Sequence, residues 1–332
     1  MKVTIKDVAK EANVSPSTVS RVLSDNPRIS DKTKEKVYKV IKKLKYKPNA
    51  IARGLVNNKT RILGVILPDD AENLLSNPFF IQAMKGISSC AQKRNYYITY
   101  AFSKDRESEK RYIKDLTSSG LIEGVCLLRP KENDESINYL NKIDFPFVIM
   151  GHPEEEGILW VDNDNFQATY KIVNKLINKN HKKIALIGAK KELSVTKNRL
   201  KGYKAALKEN GIKFDENLVS YGKDFNETEG YKAMINLLNK ANPTALVAID
   251  DLLAIGSMKA LKDRSLNSVS VVGFNNIPLD EFQKPKLASI DINAVQLGYY
   301  ATKLLIDKIE EVKDSKDYYI VETTFKERES FR

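Results

Sequence analysis

The stretch Thr4-Ile-Lys-Asp-Val-Ala-Lys-Glu-Ala-Asn-Val-Ser-Pro-Ser-Thr-Val-Ser-Arg-Val-Leu23 decides how this chain begins to fold. Thr4 followed by Asp7 is a Thr-x-x-Asp helix start, with polar side chains placed to satisfy the free N–H groups of a first turn. Ile5, Val8, Ala9 and Ala12 recur at i, i+3, i+4 and i+7, which predicts one apolar helical face. Asn13 and Val14 make the turn. Ser15 caps a second helix whose first position is Pro16, where the missing N–H costs nothing. Val19, Val22 and Leu23 point inward there, leaving Pro16, Ser17, Ser20 and Arg21 on the other side. A third helix is expected from Ser30-Asp31, presenting Val37, Val40, Ile41 and Leu44 to the same core. This is an all-α helix-turn-helix head.

Charge marks the same segment. Residues 1–61 hold 16 Lys+Arg against 5 Asp+Glu, a net of +11, while the whole chain is +12 from 55 basic and 43 acidic residues. The rest, 39 basic against 38 acidic, is nearly neutral. Positive charge gathered in one short segment indicates a polyanionic partner, here double-stranded DNA. In a helix-turn-helix the second helix enters the major groove N-terminus first. Arg21 can then pair bidentately with guanine, worth about 1–3 kcal/mol of discrimination. Ser17 and the backbone near Pro16 are placed for short-range contacts. Lys6, Ser20, Asn26 and Lys32 suit phosphate anchoring, which positions without specifying sequence. Thr4 and Ser15, at the two helix starts, complete the DNA-facing set expected of the head.

From Arg61 the pattern changes to apolar strands alternating with helical stretches. Strands are expected at Ile62–Leu67, Tyr97–Phe102, Gly124–Leu128 and Phe147–Met150, then at Lys183–Ile187, Leu218–Tyr221, Ala245–Ile249 and Val269–Phe274. Helices fall between them, and a long helix over about 294–312 is expected to return to the first series. Near-continuous apolar strands alternating with helices mean doubly wound parallel sheets. Two series imply two α/β lobes whose strand ends face a shared cleft. The expected domains are 1–47 for the head, 48–61 for a hinge and linker, and 62–332 for the body. Its first lobe takes about 62–161 and 293–319, its second about 162–292 and 320–332.

Several function classes are excluded by what such chemistry requires. Hydrophobic residues at 42% and charged residues at 30% describe a soluble globular chain, with no membrane-length apolar run and no signal-peptide core. A cytoplasmic location is therefore expected. Cys90 and Cys126 lack CxxC spacing and read as small buried hydrophobes. His152 and His181 are the only histidines, in no metal-like spacing, and no GxGxxG or GxxxxGK[ST] occurs. The adjacent pairs Asp69-Asp70 and Asp250-Asp251 are not a spaced glycosidase pair and suit helix N-caps. Neither an enzyme nor a bound metal or cofactor is expected.

Residues 3–61 closely resemble the DNA-binding region of LacI/GalR-type bacterial repressors. The resemblance rests on Ile5-Lys-Asp-Val-Ala9, Val14-Ser-Pro-Ser-Thr-Val-Ser-Arg-Val-Leu23 and Tyr46-Lys-Pro-Asn-Ala-Ile-Ala-Arg-Gly-Leu55. It extends more loosely over the body through Asn77-Pro-Phe-Phe80, Asn198-Arg-Leu-Lys-Gly-Tyr203, Ala254-Ile-Gly-Ser-Met258 and Val271-Val-Gly-Phe-Asn-Asn276. Within the family, Val161-Asp-Asn-Asp-Asn165 and the Asp250-Asp251 pair look most like maltose-operon repressors.

The resemblance implies a periplasmic-binding-protein-like body, a homodimer, a palindromic operator and a sugar effector between the lobes, maltose or a maltodextrin. It implies a hinge helix over about 49–56 that folds on DNA, with Asn49, Ala52, Arg53 and Leu55 at the DNA and Leu55 wedged into the minor groove. For the effector it implies Phe79 and Phe80 on the first-lobe wall, Phe225 as a stacking aromatic, and Arg199, Asp250, Asn275 and Asp291 as polar contacts. Trp160 lies at the lobe boundary and reads first as a buried residue. Gly151, Asp250 and Asn275 depart from the commoner family pattern, which suits a larger, neutral, hydroxyl-rich ligand. Two alternatives share this outline: a catabolite-control-type regulator using a phosphorylated carrier protein as corepressor, and a sugar-binding transport protein.

Gly54 inside so short a helix costs about 1 kcal/mol relative to Ala, and an isolated helix of this length is already marginal. Gly54→Ala should therefore tighten operator binding and blunt its release by effector. Gel-shift titration checks this, and unchanged affinity with unchanged release would remove the folding-on-DNA account of the hinge.

Overall fold

The computed structural model describes residues 3–24, 26–46, 59–67, 77–103, 105–128, 134–153 and 155–332, and the chain divides into two units, Met1–Thr60 and Arg61–Arg332. The first unit is built by local rules. Helices α1 (Ile5–Glu11), α2 (Pro16–Leu23) and α3 (Asp31–Lys43) begin where the sequence signals a start. The Asp7 carboxylate accepts from both the Thr4 N–H (2.8 Å) and the Thr4 hydroxyl (2.7 Å). Ser15 and Ser30 accept from the N–H groups of Thr18 and Thr33. Asn13 takes a left-handed φ of 48° in the α1–α2 turn, which Asn tolerates better than most residues. Val8, Ala9, Ala12, Val19, Val22 and Val37 form the core, with Leu23, Val40, Ile41 and Leu44 half-buried around it.

The second unit holds two six-stranded sheets. The first is formed by β1 (Ile62–Leu67), β2 (Tyr97–Phe102), β3 (Gly124–Leu127), β4 (Phe147–Met150), β5 (Leu159–Asn163) and β11 (Tyr318–Val321), in the order β11-β5-β4-β3-β1-β2. The second is formed by β6 (Ile184–Gly188), β7 (Val219–Tyr221), β8 (Ala245–Ala248), β9 (Ser270–Phe274), β10 (Ala288–Asp291) and β12 (Thr324–Lys326), in the order β12-β10-β9-β8-β6-β7. All pairings are parallel except β10 with β12. Helices α4 (Pro78–Lys93), α5 (Arg106–Ser118) and α6 (Glu135–Lys142) belong to the first lobe. Helices α7 (Asn165–Asn178), α8 (Ser194–Glu209), α9 (Glu227–Leu238) and α10 (Asp251–Asp263) belong to the second. The last helix, α11 (Ala294–Ile309), returns to pack on α4 and on β3, β4 and β5.

Four strands were not anticipated from the sequence: β5, β10, β11 and β12. They are short; β5 ends in polar residues and β11 leaves Tyr318 and Ile320 exposed, because these two form one edge of the first sheet. Their presence moves the lobe crossings. The expected boundaries, about 161 and 319, fall within β5 and β11, which run on to Asn163 and Val321, Asp162 and Asn163 pairing in register with Ile320 and Val321. Cys90 and Cys126 are buried free thiols, and burial pushes them up to about 11 and about 12. No helix among the described residues is long and apolar enough to cross a membrane.

The α4–α11 contact is close because glycine occupies both sides of it. A Cβ added to Gly86 would stand 1.9 Å from the Val295 carbonyl oxygen, and one added to Gly298 2.1 Å from that of Ala83. Backbone, unlike a side-chain tip, cannot swing away. Gly298→Ala should destabilise the body by about 2 kcal/mol or more, the scale of overpacking a tight core. A thermal melt that matches wild type would show that the helices can separate freely.

Candidate functional site

On the head, the helix start that folds the motif also exposes it. Ser15, Pro16, Ser17 and Arg21 are exposed on α2, and Ser20 is half-buried beside them. The Ser15 hydroxyl lies 2.8 Å from that of Ser17 and 2.9 Å from that of Thr18, so the start of α2 is a dense cluster of small donors. Lys6 and Lys32 are exposed, and Asn26 is half-buried with its carbonyl accepting from the Arg28 N–H at 2.9 Å. Thr4 is exposed, but its N–H and hydroxyl are both engaged by Asp7. Asn49, Ala52, Arg53 and Leu55 lie outside the described residues, as does Asp69-Asp70.

In the body, the carboxyl ends of the strands converge on a cavity of about 790 Å³ including its open mouth. Ligands in open α/β folds bind at such strand ends, near the point where strand order reverses. Arg199, on α8, is the charged group around which the cavity is organised. Its side chain is 3% exposed. Nε donates to Asn165 Oδ1 at 2.9 Å, Nη1 donates to the Ile249 carbonyl, and the guanidinium lies 3.9 Å over the Phe274 ring. Burial lowers its pKa to about 10, against the opposing charges of Asp162, Asp250 and Asp251.

Asp250 lies two residues past β8 and caps α10. Oδ1 accepts from the Leu252 N–H at 2.8 Å and Oδ2 from Asn275 Nδ2 at 2.8 Å. Burial raises its pKa to about 6 despite these bonds. Asn275 and Asn276 both hold left-handed backbone, at φ 110° and 52°, and such strain concentrates at ligand sites. Behind them, Asp251 accepts from the Ile277 N–H (3.1 Å) and the Ser289 hydroxyl (2.7 Å), fixing the loop that presents Asn275. Burial and the neighbouring Asp280 raise the pKa of Asp251. On the other wall, Asp162 accepts from the N–H groups of His152 and Asn163 and from Asn165 Nδ2, and burial raises it too.

Of the residues anticipated for this site, the structure brings together Phe79, Arg199, Phe225, Asp250 and Asn275. Two are corrected. Phe80 is 1% exposed in the core under α4, because it falls on the apolar stripe with Ala83 and Ile87, whereas its neighbour Phe79 faces the cavity. Asp291 does not line the cavity; its carboxylate accepts from the Asn293 N–H (2.8 Å) and Asn276 Nδ2 (3.1 Å), closing the turn after β10. Trp160 stacks on Tyr318 at 4.8 Å and also lies outside the lining. His152, Asp162, Asn163 and Asn165 line the cavity unanticipated. Their signal was the abrupt polar run Asp162-Asn-Asp-Asn165 after an apolar strand.

Chemically, the cavity offers carboxylates, carboxamides, one guanidinium, one imidazole and two phenyl faces. That set exchanges hydrogen bonds with hydroxyls and covers apolar C–H faces. Among the described residues no group of three or more His, Cys, Asp or Glu is placed to hold a metal ion.

Comparison with known proteins follows the same division. The model of "Bacterial regulatory proteins, lacI family" matches residues 4–49, and that of "Periplasmic binding proteins and sugar binding domain of LacI family" matches residues 60–329. The HTH-type transcriptional regulator MalR of Streptococcus pneumoniae is 38% identical over 321 residues, 95% of each chain. Catabolite control protein A of Staphylococcus xylosus is 34% identical over 311 residues, 92% of each chain. The solved structure of a transcriptional regulator CelR–cellobiose complex is 28% identical with a TM-score of 0.78, covering 99% of this chain and 100% of that one.

Asp250 gives the cavity a measurable pH signature. Its folded pKa, about 6, exceeds the ordinary 3.8, so the folded chain holds this proton more tightly than the unfolded chain. The contribution to stability is present below about pH 4 and lost as pH rises through about 6, each tenfold difference in proton affinity being worth about 1.4 kcal/mol. Asp250→Asn keeps a good N-cap and removes the titration. The unfolding free energy of wild type minus that of the variant should fall by about 2–3 kcal/mol between about pH 4 and 6.5. A flat difference in urea titrations would mean that the carboxylate is not held away from water.

Proposed function

This chain belongs to the LacI family of bacterial regulatory proteins, and from that premise we propose that it is a homodimeric repressor of sugar-utilisation genes, released from a palindromic operator by maltose or a maltodextrin. Its relatives are DNA-binding transcriptional regulators rather than enzymes. The observation that carries the sugar reading is the cavity's donor set. Asp250 and Asn275 bond each other, Arg199 bonds Asn165 and the Ile249 carbonyl, and all three are buried, with Phe79 and Phe225 beside them. A charged ligand would unbalance such a set, whereas a neutral polyol adds donors and acceptors in pairs. Similarity to MalR directs the choice among polyols to maltose.

In this reading Ser17 and Arg21 read each half-site, Lys6, Ser20, Asn26 and Lys32 hold phosphates, and the segment around Asn49 to Leu55 bends the operator centre. The protein acts in the cytoplasm, where that DNA lies. The homodimer is supported by apolar side chains left in water, Tyr97 (70% exposed) and Ile81 (46%) on the first lobe and Phe282 (79%) and Leu279 (41%) on the second. A symmetric pairing of two chains would take such side chains out of water. Sugar in the cleft shifts the lobes, and the two sites are coupled by a free energy of about 1–3 kcal/mol.

The test is titration of the purified protein into a labelled palindromic operator, with and without maltose. Two chains should bind per operator, with affinity falling steeply in salt, and maltose should weaken binding by about fivefold or more. Arg21→Ala should cost about 1–3 kcal/mol and relax base preference at one position of each half-site. Operator binding that ignores maltose would discard the inducer and favour a phosphorylated carrier protein as corepressor. Loss of all preference over random DNA would discard the repressor reading.

A further inference from the structure

Three backbone segments cross between the sheets: the end of β5 at Asn163, the turn after β10 at Ile292 and Asn293, and the link from β11 to β12 after Val321. One side chain joins all three. Asn163 Nδ2 donates to the Ile292 carbonyl at 3.0 Å and to the Val321 carbonyl at 2.8 Å, while its own backbone is the first crossing. The direction of the amide is dictated by its surroundings, because two carbonyls can be met only by the NH₂ end. Both of its protons are therefore committed, each to a different crossing. The residue is buried and also lines the cavity.

We infer that Asn163 is a positioning residue that makes the three crossings bend as one and so carries occupancy of the cavity toward Arg61, where the body begins. This rests on the proposed effector reading of the cavity. Closure of two lobes is absorbed by φ and ψ changes at a few residues where chains cross. Three independent crossings permit twisting and sliding as well as closing, whereas a shared donor couples their torsions. On the cavity side, Asp162 adjoins Asn163, and Asn165 donates to both Asp162 and the Asn163 carbonyl while accepting from Arg199. A ligand that shifts this group moves the end of β5.

On the far side, Ile292 leads into Asn293, which holds φ 52° and caps α11 through the Gln296 N–H at 3.3 Å. The other end of that helix carries Asp307, which pairs with Arg94 at 2.9 Å, and is followed by Glu310, which pairs with Arg61 at 3.0 Å. Arg61 begins the body, and its N–H donates to Glu123 at 2.5 Å. Movement at the second crossing thus reaches the residue from which the chain continues to the head.

The test is hydrogen exchange on the full-length protein without ligand or DNA, comparing wild type with Asn163→Ala and Asn163→Asp. Aspartate keeps the shape, but a carboxylate cannot donate. Peptides spanning residues 159–166, 288–296 and 318–324 should all exchange faster in both variants, on the order of fivefold or more, while β1, β3, β6 and β8 keep their protection. Extra exchange confined to 159–166 overturns the inference, as does Asn163→Asp behaving like wild type or a uniform rise in every peptide. At saturating maltose, the ratio of operator affinities without and with sugar should fall about fivefold or more in Asn163→Ala, in molecules that melt as one transition. An unchanged ratio also overturns it. A wild type that ignores maltose removes the effector reading instead, and the exchange pattern still decides whether Asn163 joins the crossings.

Discussion

The Arg199 guanidinium, 3% exposed where the strand ends of the body converge, must be compensated on all sides. A buried charge without partners costs several kcal/mol, about 3–5 when one member of a pair is removed. Here the compensation comes from separate elements. Asn165 at the start of α7 accepts one N–H, the Ile249 carbonyl after β8 accepts another, and the Phe274 ring at the end of β9 takes the flat face. Asp162 and Asp250 supply negative charge from the two lobes. Asn165 then donates onward to Asp162 at 3.0 Å, so a residue of the second lobe is tied to a strand of the first. The cleft is thus a polar network with a charge at its centre, and its walls cannot move without redistributing those bonds.

The head was legible in the sequence almost to the residue because everything that determines it is local. Caps at Thr4, Ser15 and Ser30, the turn at Asn13 and the apolar spacing are read within a few positions of one another. The main strands of both sheets were equally plain, since strands covered on both faces are continuous apolar runs. Edge strands were not. β5 runs from half-buried Leu159 and Trp160 into polar Asp162 and Asn163, and β11 leaves Tyr318 and Ile320 in water, so neither carries the signature of a central strand. Phe80 was recoverable from periodicity, because Phe80, Ala83 and Ile87 share one stripe of α4 and Phe79 does not. A different limit applies to Asn163. Its role depends on carbonyls at Ile292 and Val321, more than a hundred positions away, and backbone acceptors have no signature in a sequence.

Charge also constrains how such a chain can switch. Nearly all of its net positive charge lies in residues 1–61, and the body is close to neutral. Under the proposed reading the effector is neutral as well, so the field that draws the head to DNA is the same with and without ligand. Release then has to be geometric, acting on whether two heads can occupy two half-sites at once. A coupling of about 1–3 kcal/mol is small beside the many phosphate contacts that hold a repressor, yet it suffices when it decides the second head's access. A loose hinge would dissipate that small free energy among twisting and sliding modes. Packed interiors shift between discrete arrangements rather than deforming continuously, and a hinge whose crossings share one donor has fewer arrangements to choose from. The commitment of one carboxamide to two carbonyls is therefore of the right size and in the right place to keep the switch two-state.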